Sequence, residues 1–398
     1  MLDYKFKRFI FNKKLIIMSY LKIFFLMLCM ILVSCTGQKT GKENDNNDKI
    51  AIEVGEIKFP PQDVLQLKSY YLSSSVHVDS IDYLIGYNYR LHSLDCMNLK
   101  SKSVTQIVLP GDGPDAIVRL SGIYAQSLDS VWISDESERA FLIDSVGTIK
   151  RMIDLKKYLE DQEQLLINTN YAMFTSHLFY NASRHSLMFL VKHTPSNTFI
   201  VKEAFIDEVG KMATYQLSSS KVVPDMSKGY AYINFPNVNF VGENIVYNYP
   251  VESSIYMLDI RTNERKYILA DSHYTSNIIE KCTTSGDYAT LEKHWLENSH
   301  FYDIMYLPKY KIYARLHADK VDFDEKKGME KLINERDLYL MLFDENMEKI
   351  GETKLSNCRY SPFTSWNATY GGIALFVDNV LDEKNNTDDL TIDIISLK

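Results

Sequence analysis

One pattern recurs along this chain and constrains its fold more than any other feature: an apolar strand, a polar link, a second strand ending in Asp, a turn, then a third strand. The first copy runs through Tyr83–Tyr87, Leu91–Asp95 and Val104–Leu109. The second uses Ser130–Ile133, Ala140–Asp144, the turn Ser145–Gly147 and Ile149–Leu155. The third has Leu187–Val191, Ala204–Asp207, the turn Glu208–Gly210 and Met212–Leu217. Asn244–Tyr247, Ile255–Asp259 and Arg265–Leu269 form a fourth, and Lys311–Arg315, Leu338–Asp344 and Lys349–Leu355 a fifth. The last copy has only Gly372–Val377 and Leu390–Ser396.

Short β-branched and aromatic runs between turn signals read as strands, and few stretches carry the 3.6-residue period of a long helix. The marker residues Asp95, Asp144, Asp207, Asp259 and Asp344 stand 49, 63, 52 and 85 residues apart, and Ser396 closes a sixth step of 52. A period of roughly 40–50 residues with three or four strands per copy predicts propeller blades. Extra length falls in links, chiefly the charged Ala318–Arg336, which has room for a short helix. Each copy alone would leave an apolar sheet face open, so neighbours must stack and the ring must close. The last copy lacks a final strand, and Ala51–Phe59 can supply it, hiding the sheet edges. A β-sandwich followed by a second β domain also shows short strands and regular turns. Six copies in register favour an all-β, six-bladed propeller over residues 50–398, closed by an N-terminal strand.

The start of the chain has a different character. Residues 1–34 hold Lys5, Lys7, Arg8, Lys13, Lys14 and Lys22 against Asp3 alone, and an uncharged apolar run follows from Ile23 to Val33. A basic segment before about 7–15 apolar residues is the pattern of a secretory signal. It is too short for a membrane-spanning helix, which needs about 20 apolar residues. A longer anchor from Leu15 to Val33 would place Lys22 in mid-bilayer at a cost of roughly 2.5–3.5 kcal/mol. Leu32–Cys35 resembles the lipobox of bacterial lipoproteins, which implies a lipid on Cys35 holding the protein to a bilayer without spanning it. Residues 35–49 are polar and read as a flexible tether. Met18 also opens a compact signal by itself, so the start is open between Met1 and Met18.

Cleavage would sharpen the charge balance. The 44 basic and 52 acidic residues of the whole chain, net −8, become 38 and 51, net −13. That acidity argues against nucleic acid as a partner. Cys96, Cys282 and Cys358 remain in the body, an odd and widely spaced set with no CxxC pair.

Two further stretches carry a family resemblance. Val108–Asp115, followed by Asp129–Asp135, resembles the Gly-rich inter-blade turn and following strand of six-bladed propeller lipoproteins from Bacteroidetes. Phe301–Arg315, with Leu355–Tyr360 and Gly371–Ala374, is similar to one uncharacterised family among them, a domain of unknown function. The likeness covers roughly residues 55–398, in turns and strand cores. The chain departs from the family pattern at Leu307-Pro308 and at Ala314. The resemblance implies the propeller and says almost nothing of chemistry.

Candidate site residues are few. Asp112 and Asp115, in the turn Pro110–Asp115, could offer oxygens to a cation, although an inter-blade turn needs the same Gly and Pro residues. The turn lacks both the EF-hand carboxylate spacing and the Lys of a phosphate loop, and no cofactor is implied. His294, Glu297 and His300 are close in sequence, but the two His are six apart rather than the four a zinc helix needs, which favours an exposed polar link. No Gly-x-Ser-x-Gly elbow supports a serine hydrolase. Tyr230, Tyr232, Tyr247, Tyr249, Trp295, Tyr302, Tyr306, Tyr310, Tyr313 and Trp366 make the second half aromatic, which suits either inter-blade packing or a sugar or peptide platform. Tyr302, Tyr313 and Arg315 lie in the segment that carries the resemblance.

The expected function is therefore a lipid-anchored cell-envelope propeller that binds a glycan, peptide or envelope protein at one mouth of the ring. A hydrolase or lyase acting on glycans, with acidic, Tyr and His residues converging at the channel mouth, is the rival reading. A purely structural envelope component is a third. Fold cannot separate them, since propellers host all three.

Overall fold

The computed structural model describes residues 51–61, 67–166, 174–223, 229–230, 233–282, 287–384 and 389–398. The signal of residues 1–34, Cys35, the tether of residues 35–49 and Tyr232 lie outside the described residues.

Six antiparallel sheets make the ring. Blade 1 holds β2 (Ser73–Val78), β3 (Ile81–Asn88), β4 (Ser93–Asn98) and β5 (Val104–Val108). Blade 2 holds β6 (Leu120–Ser127), β7 (Ser130–Asp135), β8 (Arg139–Ile143) and β9 (Ile149–Asp154). In blade 3 the innermost strand comes in two pieces, β10 (Glu163–Leu166) and β11 (Phe179–Asn181). Both pair with β12 (Ser186–His193), which continues to β13 (Thr198–Phe205) and β14 (Met212–Gln216). Blade 4 holds β15 (Asn237–Val241), β16 (Asn244–Asn248), β17 (Ile255–Asp259) and β18 (Arg265–Ile268). Blade 5 holds β19 (His300–Leu307), β20 (Ile312–Ala318), β21 (Leu338–Phe343) and β22 (Lys349–Lys354). Blade 6 runs outward from β23 (Trp366–Ala368) through β24 (Ile373–Phe376) and β25 (Leu390–Leu397) to β1 (Ile52–Phe59).

Ring closure is as expected. β1 pairs with β25 from Ile52 opposite Leu397 to Phe59 opposite Leu390, so the start of the body completes the last blade. Arg359 secures the seam: its Nε and Nη2 donate to the buried Asp393 of β25 at 2.5 and 2.9 Å, and Nη2 also reaches Glu56 of β1 at 2.9 Å.

The recurring strands of the sequence are the second, third and fourth of each blade. The second and third are buried because both sheet faces pack on neighbouring blades, and β21 is buried along its whole length, whereas the fourth strands are largely exposed at the rim. The marker residue has a mechanical reason in three blades. The carboxylates of Asp144, Asp259 and Asp344 each accept two backbone N–H groups from the turn that follows, fixing the hairpin to the outer strand. Blade 1 corrects the pattern. Asn98 fills that role, receiving Lys100 N at 3.0 Å and Ser101 N at 2.8 Å, while Asp95 is buried in mid-strand.

A short helix, α2 (Met329–Asn334), does lie in the link between β20 and β21. A preceding helix, α1 (Tyr288–Leu296), corrects the expectation of an exposed link: His294, Trp295 and Leu296 are buried in it. His294 Nε2 sits 2.7 Å from the Glu280 carbonyl, and His300 is buried at the start of β19. Among the described residues no helix is long and apolar enough to cross a membrane.

Candidate functional site

The axis of the ring is walled by the innermost strand of every blade. Two of these strands are short or polar: β2 begins with three serines, Ser73, Ser74 and Ser75, and β23 is only Trp366–Ala368. Near the axis, strands of neighbouring blades converge edge to edge, so side chains take over the fastening that ladder hydrogen bonds supply within a blade.

Each of the six junctions has a named contact. Ser74 Oγ accepts the Ala125 N–H at 3.1 Å, joining β2 to β6. Tyr124 of β6 meets Phe179 of β11 edge-on at 5.1 Å, and Phe179 stacks on Phe240 of β15 at 5.0 Å. Asn237 and Asn239 of β15 donate to the Phe301 and Ile304 carbonyls of β19, both at 2.9 Å. Trp366 Nε1 donates to Asp303 Oδ1 at 2.8 Å, tying β23 to β19. Asn367 Nδ2 donates to Ser73 Oγ at 2.6 Å and Ser75 Oγ to the Ala368 carbonyl at 2.5 Å, which returns the ring to β2.

Within this wall lies a cavity of about 340 Å³ to which all six blades contribute, extending to the turns at Gly242 and Pro308. Its aromatic side is Tyr124, Phe179, Phe240 and Tyr306; Ser74, Asn239, Asn367 and His177 make it polar. His177 precedes β11 and runs beside β15, where its neighbour Ser176 bridges Val238. Its Nε2 lies 2.7 Å from Asp303 Oδ2, close enough for the ring N–H to donate. The fully buried Asp303 thus spends one oxygen on the blade 6 indole and the other on the imidazole that faces the cavity. A carboxylate behind a histidine fixes the ring's orientation and leaves its other nitrogen for the cavity side.

No Asp, Glu, Lys, Arg or Cys lines the cavity among the described residues. Glycoside hydrolysis needs two carboxylates across the scissile bond. The cavity instead offers rings to stack on and neutral groups to hydrogen-bond.

The five residues singled out in sequence do not meet. Asp112 and Asp115 are exposed in the link from β5 to β6, where the Ile117 N–H bonds the Pro110 carbonyl at 2.8 Å. Tyr302, Tyr313 and Arg315 are buried in blade 5. Arg315 Nη1 and Nη2 donate to the Ser253 and Ala270 carbonyls of blade 4 at 2.6 and 2.9 Å, with Phe301 and Phe343 flanking the guanidinium. Burial lowers the affinity of that guanidinium for its proton, so its bonds join two blades in an apolar setting. Tyr313 packs at 5.0 Å on Tyr306 and so stands behind the cavity wall. Sequence reasoning misses His177, Asp303 and Phe240. Asp303 sits beside Tyr302 in the family-like segment, but only the fold brings it to His177, more than a hundred residues earlier.

The class is defined at this point: a closed six-bladed propeller whose inner strands enclose a polar, aromatic-sided axial cavity. Residues 43–354 match the model of a family described as a domain of unknown function, DUF4221, and the chain belongs to that family. A crystal structure of a DUF4221 member from Bacteroides vulgatus is similar over 89% of this chain and 99% of its own, with a TM-score of 0.71 at 14% identity. A Bacteroides fragilis protein described as exported is similar over 88% of this chain and 97% of its own, with a TM-score of 0.52 at 13% identity. At these identities the likeness speaks to the fold. No curated protein matches the sequence.

Proposed function

We propose that this chain is a lipid-anchored propeller of the bacterial cell envelope that binds a small glycan, or the end of a peptide, in its axial cavity. The observation that carries the reading is the cavity itself: inner strands of all six blades converge on about 340 Å³ lined by aromatic rings together with amide, hydroxyl and imidazole groups. That volume is within the usual range for small-ligand sites. The lipobox-like Leu32–Cys35 and the exported description of the Bacteroides fragilis relative support an envelope location.

Titration calorimetry on the full chain in detergent, with neutral oligosaccharides and short peptides as probes, tests the reading. A bound probe should lose at least about tenfold in affinity with Phe240→Ala, the change in Kd expected for removing one stacking ring. Unchanged affinity would place the ligand elsewhere. The His177–Asp303 pair is the one feature that favours catalysis. Turnover of a glycan probe that His177→Ala abolishes would replace binding with the hydrolase or lyase reading.

A further inference from the structure

A second concavity lies at the other end of the ring. Within a blade, the turns joining first to second strands fall at one end of the axis, and those joining second to third strands, with the inter-blade links, fall at the opposite end. Gly242 and Pro308 of the axial cavity belong to the first set. An open cleft of about 930 Å³ is lined by Tyr71, Tyr87, Tyr89, His92, Gly111 and the Ile117–Arg119 link, all of the second set.

The chemistry of this cleft is unusual for so acidic a protein. Tyr71 meets Tyr87 at 6.2 Å and Tyr89 at 6.0 Å, so the three phenol rings form one aromatic surface, with Tyr89 half-exposed. His92 Nδ1 lies 3.1 Å from Tyr87 Oη, which fixes the imidazole against the tyrosines. Arg119 is the one formally charged side chain lining the cleft, in a chain of net charge −8. Its guanidinium stands 5.8 Å from the Tyr71 ring centre. Its nearest acid, Glu136, pairs only loosely through Nε at 3.6 Å, with both side chains largely exposed. One buried polar atom of the lining, His92 Nε2, meets no protein hydrogen-bond partner of adequate geometry, whereas the Tyr71 hydroxyl interacts with the Arg119 guanidinium, whose hold on its proton it strengthens. Leaving such an atom unmatched is unfavourable, and a ligand hydroxyl, which both donates and accepts, would satisfy it.

We propose that this cleft is a separate binding site for an acidic saccharide. The flat C–H face of a sugar ring stacks on Tyr89 beside Tyr71, a hydroxyl reaches His92 Nε2, and its carboxylate pairs with Arg119. Arginine suits that last role because its planar fork matches a carboxylate with two parallel hydrogen bonds.

Calorimetry on the full chain in detergent tests the assignment with three probes: trigalacturonate, the neutral maltotriose, and the acidic peptide Glu-Phe-Glu. Trigalacturonate should bind at least about tenfold more tightly than maltotriose. Arg119→Gln should erase that difference, and Tyr89→Ala should weaken both sugars; both side chains are exposed, so unchanged melting checks the fold. Phe240→Ala, in the axial cavity, should leave trigalacturonate binding intact. Equal affinity for the two sugars, indifference to Arg119→Gln, preference for the peptide, or loss of binding with Phe240→Ala would each overturn the proposal. The last outcome would move the sugar to the axial cavity and leave the binding reading of that cavity standing.

Discussion

Gly86 has no side chain, and Tyr70 fills the space. A Cβ at Gly86 would collide with the Tyr70 ring, which is held there because its hydroxyl donates to Asp95 at 2.7 Å. Asn88 and Gln106 add bonds to the same carboxylate, both at 2.9 Å, and Ser93 Oγ a longer one at 3.5 Å, so the fully buried side chain is held by four donors. Gly86→Ala must therefore move the ring and loosen its bond to a charged acceptor. The expected loss is about 2–4 kcal/mol, from overpacking plus one weakened charged hydrogen bond, read as a lower urea midpoint at unchanged slope. This network also marks the limit of legibility at the residue scale. Asp144, Asp259 and Asp344 are readable as turn markers because a carboxylate serves the backbone just after it. Asp95 looks the same in sequence, yet its partners come from other strands and from Tyr70, which no local pattern reveals.

Among elements, the outer three strands of each blade announce themselves and the innermost does not. Strands packed on both faces read as apolar runs, as in Leu338–Phe343 and Ser186–His193. Inner strands such as β2 and β23 fasten to their neighbours with Ser and Asn, so their composition resembles a loop. The fold was thus legible in the repeats, whereas the candidate site, made of the strands without a pattern, was not. α1 escaped for a related reason: its nine residues include Lys293 and His294, and only docking buries one side. Blade 5 carries a pH prediction. Burial opposes the charge of Glu352, but the His317 ring at 2.9 Å, the Ser272 hydroxyl and the His273 N–H outweigh it, holding the carboxyl well below its usual range. Burial pushes the His317 imidazole down as well. A carboxyl lowered in the fold stabilises above its unfolded value of 4.5 and loses that stabilisation as pH falls below it. A lowered imidazole acts in the same direction, since the unfolded ring gains its proton near 6.5 before the folded one does. This pair should therefore withdraw stability from pH 6.5 downward and more steeply below 4.5. Glu352→Gln should cost about 1.5–3 kcal/mol at pH 7, with the gap to the natural chain closing below pH 4.5 in urea titrations.

At the scale of the whole molecule, the ring and its closure are legible in the sequence, because a last copy one strand short and a spare strand at Ala51–Phe59 complete each other. The proposed anchor belongs to this scale too. Cys35→Ala should shift the protein from the membrane to the aqueous fraction on cell fractionation, and continued membrane retention would mean that the apolar segment stays as a helix. The proposed anchoring at Cys35 would have a further consequence through β1. The chain leads from that cysteine directly to Ile52, the first of eight residue pairs in the ladder that seals blade 6. Tension between bilayer and ligand would then pass through the seam, with tether, ladder and Arg359 clasp in series. A tug on the occupied protein would strain its closure before it strained any single blade, so grip on the ligand and integrity of the ring would fail together.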